Sequence, residues 1–139
     1  MTDNLTRDQR SYCMSQVRNK RTDLEQIVAN ALRRKGLKFQ RNHRNLPGSP
    51  DFVIASLKTA VFVDGDFWHG YRFPCWANSL TPFWKEKIQR NRARDRRVHA
   101  ALRRMGWRVV RLWQHQIRSN SDVCVSKIVN MRSGSKLLF

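Results

Sequence analysis

Two aspartates and a histidine stand close together near the middle of the chain. Asp51 opens one short apolar run and Asp64 closes the next, and His69 follows five residues later. If the two runs are hairpin partners, both carboxylates lie at the same end of a sheet. Hard oxygen ligands at such an edge suit Mg²⁺, and a histidine beside a metal can deprotonate an attacking water molecule near neutral pH. This pattern indicates metal-assisted hydrolysis, unless each aspartate only marks a turn and the histidine lies on an ordinary surface loop.

Two large aromatic residues, Phe67 and Trp68, precede the histidine in a segment bounded by Gly65 and Gly70. Such side chains usually pack in a core, but an irregular segment between glycines is a poor place for core residues. Exposed aromatic residues beside a basic helix suggest stacking on bases or wedging into a duplex.

Three further polar residues have both a structural and a chemical interpretation. Glu25 forms a capping-box pair with Thr22, which explains it fully, although it could reach a metal-bound water if its helix begins beside the sheet end. Asn91 and Asp95 interrupt the apolar stripe of a long helix. They are either a satisfied polar pair, or Asn91 reads base edges with its amide.

The charge of the chain indicates the kind of partner. The 139 residues include 28 Lys and Arg against 10 Asp and Glu, for a net charge of +18. Such an excess implies an anionic polymer, most commonly nucleic acid, and a ribosomal-type RNA-binding protein would have the same balance. The cysteines, Cys13, Cys75 and Cys124, form no C-x-x-C pair, which favours a reducing cytoplasm over a disulfide framework. No apolar run is long enough for a membrane span, and residues 1–10 do not resemble a signal peptide.

Capping signals and hydrophobic periodicity predict the elements that must position these residues. Gly36 and Gly106 are expected to end the second helix and the long helix. The order ααβββαβα predicts an α/β fold, a small mixed sheet flanked by helices, in one domain over residues 1–139 with a basic N-terminal segment (1–20) and a loose tail (about 133–139). The predicted elements are helices over residues 6–17 and 22–36, strands over 37–41, 51–55 and 59–64, an irregular stretch over 65–78, a helix over 82–104, a strand over 107–113 and a helix over 122–131.

The long helix is expected to be capped by Thr81 with Pro82 at its first position. In the last strand, Val110 and Leu112 are expected to face the core. The remaining surface of the long helix is strongly basic. Its predicted inner stripe consists of Trp84, Ile88, Asn91, Asp95, Val98, Leu102 and Met105.

Several ordered motifs resemble those of the very short patch repair (Vsr) DNA mismatch endonucleases. They span roughly residues 14–115 and comprise LPGSPDFV (46–53), VFVDGDFWHG (61–70), FWKEKI (83–88), NRARD (91–95) and GWRV (106–109). The resemblance implies a restriction-endonuclease-like fold. It also implies a bacterial enzyme that nicks double-stranded DNA 5′ to the thymine of a T·G mismatch, the product of 5-methylcytosine deamination. Nicking one strand requires only one active site, which fits a monomer.

The same resemblance assigns catalytic roles. Asp51 would bind Mg²⁺ together with the backbone carbonyl of Val63, and two Mg²⁺ ions would stabilise the attacking and leaving oxygens. His69 would act as the general base. Glu25 would position a metal-bound water or His69, and Asp64 would lie near the leaving group.

The resemblance also assigns DNA contacts. Phe67, Trp68 and Trp84 would wedge into the base stack from one groove, and Met14 from the other. The mismatched pair would be contacted by Lys87 and Asn91.

One departure from the family concerns its structural zinc, which is held by Cys and His ligands. The equivalent positions here are Asp66, Tyr71, Phe73 and His115, which leave no tetrahedral Cys/His set. We therefore predict that zinc is absent and that an Asp66–His115 ion pair instead braces the segment over residues 65–70, here called the aromatic loop.

Two alternatives to a mismatch-nicking enzyme stay open. One is a related nuclease that acts on another lesion, a branched structure or a restriction-type site. The other is a basic nucleic-acid-binding protein without catalysis, which would not account for the proximity of Asp51, Asp64 and His69 to one aromatic loop.

Overall fold

The computed structural model of the chain describes residues 7–67 and 69–133, with the backbone alone for residues 8–21, 74 and 131–133. The predicted loose tail therefore lies outside the described residues, apart from residue 133. Within the described ranges, no helix is both long enough and apolar enough to cross a membrane. In chain order the elements are α1 (Arg7–Arg34), β1 (Gln40–Arg41), β2 (Phe52–Ile54), β3 (Thr59–Asp64), α2 (Phe73–Trp76), α3 (Pro82–Arg104), β4 (Arg108–Trp113) and α4 (Gln114–Ser133).

The four strands form one mixed sheet in the order β1-β2-β3-β4. Pairing is antiparallel between β1 and β2 and between β2 and β3, and parallel between β3 and β4. The parallel pair requires a crossover, which α2 and α3 supply. The predicted α/β fold with a small mixed sheet is confirmed.

Helices cover both faces of the sheet. On one face, α1 and α4 pack against strand residues that include Val61 and Val63. On the other face, Leu102 of α3 packs on Ala60 and Val109. Burying a large aliphatic side chain stabilises a fold by about 1.5–3 kcal/mol, so the two clusters hold the helices firmly against the strands.

The long helix begins and ends where its signals predict. Thr81 is the N-cap, its side-chain oxygen accepts from the amide of Trp84 at 3.5 Å, and Pro82 follows at the first turn. Met105 is half exposed, at 50%, so its place in the predicted inner stripe is wrong. The helix ends at Arg104, and Met105 lies in the turn before Gly106, off the inward face of the helix.

The first helix differs from the prediction of two helices separated near Thr22. Thr22 and Glu25 lie inside one helix, Arg7–Arg34, so the predicted capping box is wrong. No glycine or proline interrupts residues 17–22, and amides inside a continuous helix need no cap because they bond to carbonyls one turn back. Gly36 ends the helix as predicted: with φ +74° it donates to the carbonyl of Arg33 at 2.9 Å.

The boundaries of β3 and α3 match their predictions, and the other boundaries shift by one or more residues. The strand predicted over residues 37–41 forms only at Gln40–Arg41, and the stretch predicted to be irregular contains α2. The last helix starts earlier than predicted, at Gln114, but it kinks at Asn120 (φ −163°). The side chain of Asn120 accepts from the amide of Val123 at 3.1 Å, so the sequence signal located only the second half of α4.

Candidate active site

Asp51 and Asp64 lie at the same end of the β2–β3 hairpin. Phe52 pairs with Val61, so Asp51, just before β2, lies beside the last residues of β3. Oδ2 of Asp51 accepts a hydrogen bond from the amide of Val63 at 2.7 Å. Each aspartate is 3% exposed, and a carboxylate is costly to bury unless polar or charged groups compensate it. Two compensated buried carboxylates at one sheet end are typical of a functional site.

The segment before α2 positions His69 against α3. It consists of hydrogen-bonded turns, in which the amide of His69 donates to the carbonyl of Gly65 at 3.1 Å and Gly70 donates to Phe67 at 3.1 Å. Gly70 has φ +68°, and a β-carbon there would lie 2.7 Å from Cδ of Arg92 on α3. Only glycine allows the segment to pass so close to the helix.

The imidazole of His69 lies between two carboxylates. Its Nδ1 atom is 2.8 Å from Oδ2 of Asp95, and its Nε2 atom is 3.6 Å from Oδ1 of Asp64. Burial alone would raise the pKa of Asp95, but the hydrogen bond and charge of His69, with the positive charge of Arg111, lower it overall. An ionised Asp95 accepts a hydrogen bond from the protonated Nδ1 of His69. The other ring nitrogen, Nε2, is then the one that can take a proton.

Arg111 of β4 also belongs to the site, although the sequence motifs did not single it out. Its Nε atom is 2.6 Å from Oδ2 of Asp64, and one terminal nitrogen is 3.1 Å from Oδ2 of Asp95. The signal that could have found it is strand alternation: Val110 and Leu112 are buried toward α1 and α4, so Arg111 points to the α3 side.

A second histidine near the site, His99, was also missed. It is 6% exposed, and its ring lies 4.9 Å from that of Phe62. Burial and the positive charge of Arg111 lower the pKa of His99, and the carboxylates of Asp64 and Asp95 offset part of that shift. Its position one helical turn after Asp95 was the available signal.

An aromatic cluster adjoins His69. The ring of Phe67 lies 5.6 Å from that of Trp76, stacked, and 5.9 Å from that of Trp84, edge to face. Of the four predicted wedge residues, the structure thus brings Phe67 and Trp84 together. Trp68 and the side chain of Met14 lie outside what the structure describes.

The predicted base-contacting residues share one side of α3. Lys87 and Asn91 both line an open cavity of about 520 Å³, and Nζ of Lys87 is 6.0 Å from the ring of Trp84. The cavity places polar groups beside the aromatic cluster. Its other side chains are Phe83, Arg90, Ala93, Arg94 and Arg97.

Glu25 lies half-buried on α1, between the buried residues Leu24 and Val28. Its position inside the helix removes the capping explanation for it. A role beside His69 or a metal-bound water stays a prediction.

The positions that the family uses for zinc contain a different arrangement. Oδ1 of Asp66 is 2.9 Å from Nδ1 of His115, as predicted, and the ring of Tyr71 lies 4.4 Å from that of His115. Phe73 is buried and meets Trp76 edge to face at 5.2 Å. This donor set does not fit tetrahedral zinc. Among the side chains that the structure describes, no group of three or more His, Cys, Asp or Glu is arranged to hold a metal ion.

Comparisons with known proteins identify the family of this chain. Residues 2–74 match the family described as DNA mismatch endonuclease Vsr. The chain is 43% identical over 119 residues to the type II nicking enzyme V.XorIIP of Xanthomonas oryzae pv. oryzae, covering 84% of this chain and 88% of that protein. It is 37% identical over 118 residues to the DNA mismatch endonuclease Vsr of Escherichia coli, covering 82% and 74%. These matches argue against the non-catalytic alternative, and the chain belongs to the Vsr family of DNA mismatch endonucleases.

Proposed function

We propose that this endonuclease uses Mg²⁺ to nick one strand of double-stranded DNA on the 5′ side of the thymine in a T·G mismatch. The observation that supports this most is the position of His69, between Asp95 and Asp64 at the sheet end where Asp51 lies. A relative that is named a mismatch endonuclease supports the choice of substrate. A nick needs only one such site, so we propose a monomer that acts in the bacterial cytoplasm.

In the proposed mechanism His69 is the general base. Its Nε2 atom takes a proton from the water whose oxygen attacks phosphorus, while one ester bond of the phosphodiester breaks. The resulting imidazolium is stabilised through Nδ1 by Asp95, 2.8 Å away. Glu25 orients the water or His69, and Asp64 lies on the leaving-group side.

The buried carboxylate of Asp51 fits Mg²⁺, which is usually bound by one or two carboxylates together with water and substrate phosphate. A group of three protein ligands is therefore not required. Asp51 and the carbonyl of Val63 would hold the metal. When two ions are bound, Mg²⁺ would supply charge stabilisation to the attacking and leaving oxygens.

The aromatic cluster provides a means of opening the duplex. Phe67 and Trp84 are in contact, and both are half-buried, so they can enter the base stack as one rigid unit. Trp68 would extend this wedge, and Met14 would enter from the opposite groove. Lys87 and Asn91, on the adjacent side of α3, would contact the exposed mismatch.

The proposal is tested with duplex oligonucleotides whose two strands have different fluorescent labels. We expect a single cut in the thymine strand of the T·G duplex in Mg²⁺, none in EDTA and none in the matched T·A duplex. The variants Asp51→Ala and His69→Ala should bind the mismatch without cutting it.

Equal cutting of matched and mismatched duplexes would contradict the mismatch specificity and support the alternative of a nuclease for another site or structure. Cutting by His69→Ala at the wild-type rate would overturn the assignment of the general base.

A further inference from the structure

The proposed general base, His69, is one member of a closed ring of four side chains. Arg111 contacts Asp64 through Nε at 2.6 Å and Asp95 through a terminal nitrogen at 3.1 Å. Asp95 contacts Nδ1 of His69 at 2.8 Å, and Nε2 of His69 is 3.6 Å from Asp64. Each member comes from a different part of the chain: β3, the loop after it, α3 and β4.

The electrostatics of the ring require a fixed cation. The side chains of Asp64 and Asp95 are only 4% and 13% exposed, so solvent offsets little of their mutual repulsion. A guanidinium stays protonated at any working pH and has donors in a planar fork. Arg111 therefore allows both carboxylates to flank one imidazole as anions.

The geometry also requires arginine rather than lysine. The fork of Arg111 reaches acceptors on two elements at once, whereas an ammonium group has no plane to align with two carboxylates. The guanidinium carbon lies 4.3 Å from the centre of the Trp113 ring, which restricts the rotation of the fork. The same oxygen of Asp95, Oδ2, accepts from both Arg111 and His69, so the position of Arg111 bears directly on the imidazole.

We propose that Arg111 is a positioning residue for the nicking reaction: it fixes Asp95 and Asp64, and through them it orients His69 with Nε2 toward the attacking water. The proposal rests on the proposed function of His69 as the general base. It also gives Asp64 a role as a partner of Arg111 rather than as a metal ligand.

The test compares Arg111→Ala, Arg111→Lys and wild type in single-turnover nicking of a T·G duplex and in binding of the same duplex without metal. We expect the cutting rate of Arg111→Ala to fall about 10- to 100-fold, less than the loss from removing the base itself. The dissociation constant for DNA should change less than twofold. Arg111→Lys keeps the charge but loses the fork, so it should also be slow.

Chemical rescue separates positioning from a general loss of structure. The Arg111 side chain is 28% exposed, so a small cation can reach the vacated space. Guanidinium chloride at non-denaturing concentration should restore part of the rate of Arg111→Ala, and methylammonium chloride at equal ionic strength should not. Arg108→Lys is the matched control, because Arg108 lies on the same strand but donates to Thr59 at 2.8 Å outside the ring. The cutting rate of Arg108→Lys should fall less than that of Arg111→Lys, and guanidinium should not change it.

Wild-type cutting rates in both Arg111 variants would overturn the proposal. So would a loss of rate matched by an equal loss of DNA affinity, since Arg111 would then be a phosphate contact. If Arg111→Ala does not fold, as judged by circular dichroism, the comparison of Arg111→Lys with Arg108→Lys decides. Failure of the wild-type enzyme to nick any duplex would instead contradict the proposed function.

Discussion

Nδ1 of His69 lies 2.8 Å from Oδ2 of Asp95, although the two residues are 26 positions apart in the sequence. The contact joins the aromatic loop to the inner side of α3. It gives the imidazole a fixed orientation and a defined tautomer, and these are what a general base needs before substrate binds.

Replacing Asp95 with asparagine should therefore slow cutting without weakening DNA binding. The amide can donate to Nδ1 and so favour the tautomer with its proton on Nε2, and we expect the single-turnover rate to fall by about 10²- to 10⁴-fold. Asp122→Asn is a suitable control, because Asp122 is exposed and pairs with Arg34 on the far side of the sheet. Equal rates for Asp95→Asn and wild type would contradict this role.

Asp51→Asn should raise the Mg²⁺ concentration needed for half-maximal cutting, because an amide oxygen is a weaker ligand for a hard cation than a carboxylate. Its side chain keeps the size of the original, so mismatch binding in EDTA should persist. The measurement is a Mg²⁺ titration of the nicking rate, with the exposed Asp23→Asn on α1 as control. An unchanged titration curve for Asp51→Asn would show that the carboxylate does not hold the metal.

The free energy of unfolding should fall as the pH drops below about 6.5, the ordinary value for histidine. The pKa of His99 is lowered in the folded protein by burial and by Arg111, so the unfolded chain binds the proton first and is favoured as the pH falls. The lowered pKa of Asp95 adds a loss in the same direction below its ordinary value of 3.8.

Urea unfolding at a series of pH values checks this dependence. The variant His99→Leu should flatten the slope that begins near neutral pH. A slope of the same size in His99→Leu would assign the dependence to another group.

DNA affinity should fall steeply with salt, because the exposed arginines of α3 release counterions when they meet phosphates. Arg94 and Arg97 line the cavity beside Lys87, and each change to alanine should reduce the slope of log K against log salt by about one. Lys127→Ala removes an exposed charge from α4 and should leave the slope unchanged. A flat salt response of the wild type would contradict the role of α3 as a docking surface.

Metal analysis of the purified protein should find less than one zinc per chain, because Asp66, Tyr71, Phe73 and His115 do not form a tetrahedral site. His115→Gln should increase proteolytic cleavage within residues 65–73 without changing the zinc content. One tightly held zinc per chain would refute the prediction.

Elements with strong local signals could be predicted from the sequence. The N-cap Thr81 with Pro82 located the start of α3, and β3 followed from an apolar run ended by Asp64. The continuity of α1 could not be predicted from the same kind of signal. Thr22 and Glu25 have the spacing of a cap, and the helix nevertheless continues through them, since no glycine or proline stands in its path.

In the site, too, local sequence signals indicated some residues, and others became evident only from the tertiary structure. Asp51, Asp64 and His69 stand close enough in sequence to suggest a common purpose, and the structure brings Asp64 and His69 within 3.6 Å. Arg111 contacts Asp64 across 47 positions and Asp95 across 16, and no local pattern records such pairs. Arg111 could have been identified only by combining two inferences: that alternate residues of β4 face α3, and that β4 pairs in parallel with β3.

The parallel pairing of β3 with β4 has a consequence for when the enzyme becomes active. Phe62 lies opposite Arg111, so the ring around His69 closes only after the chain has returned from the crossover helix and aligned its last strand. Long-range pairing of this kind forms late in folding because a large loop must first be closed. The proposed positioning of His69 by Arg111 therefore depends on the finished tertiary structure and not on any local segment of the chain.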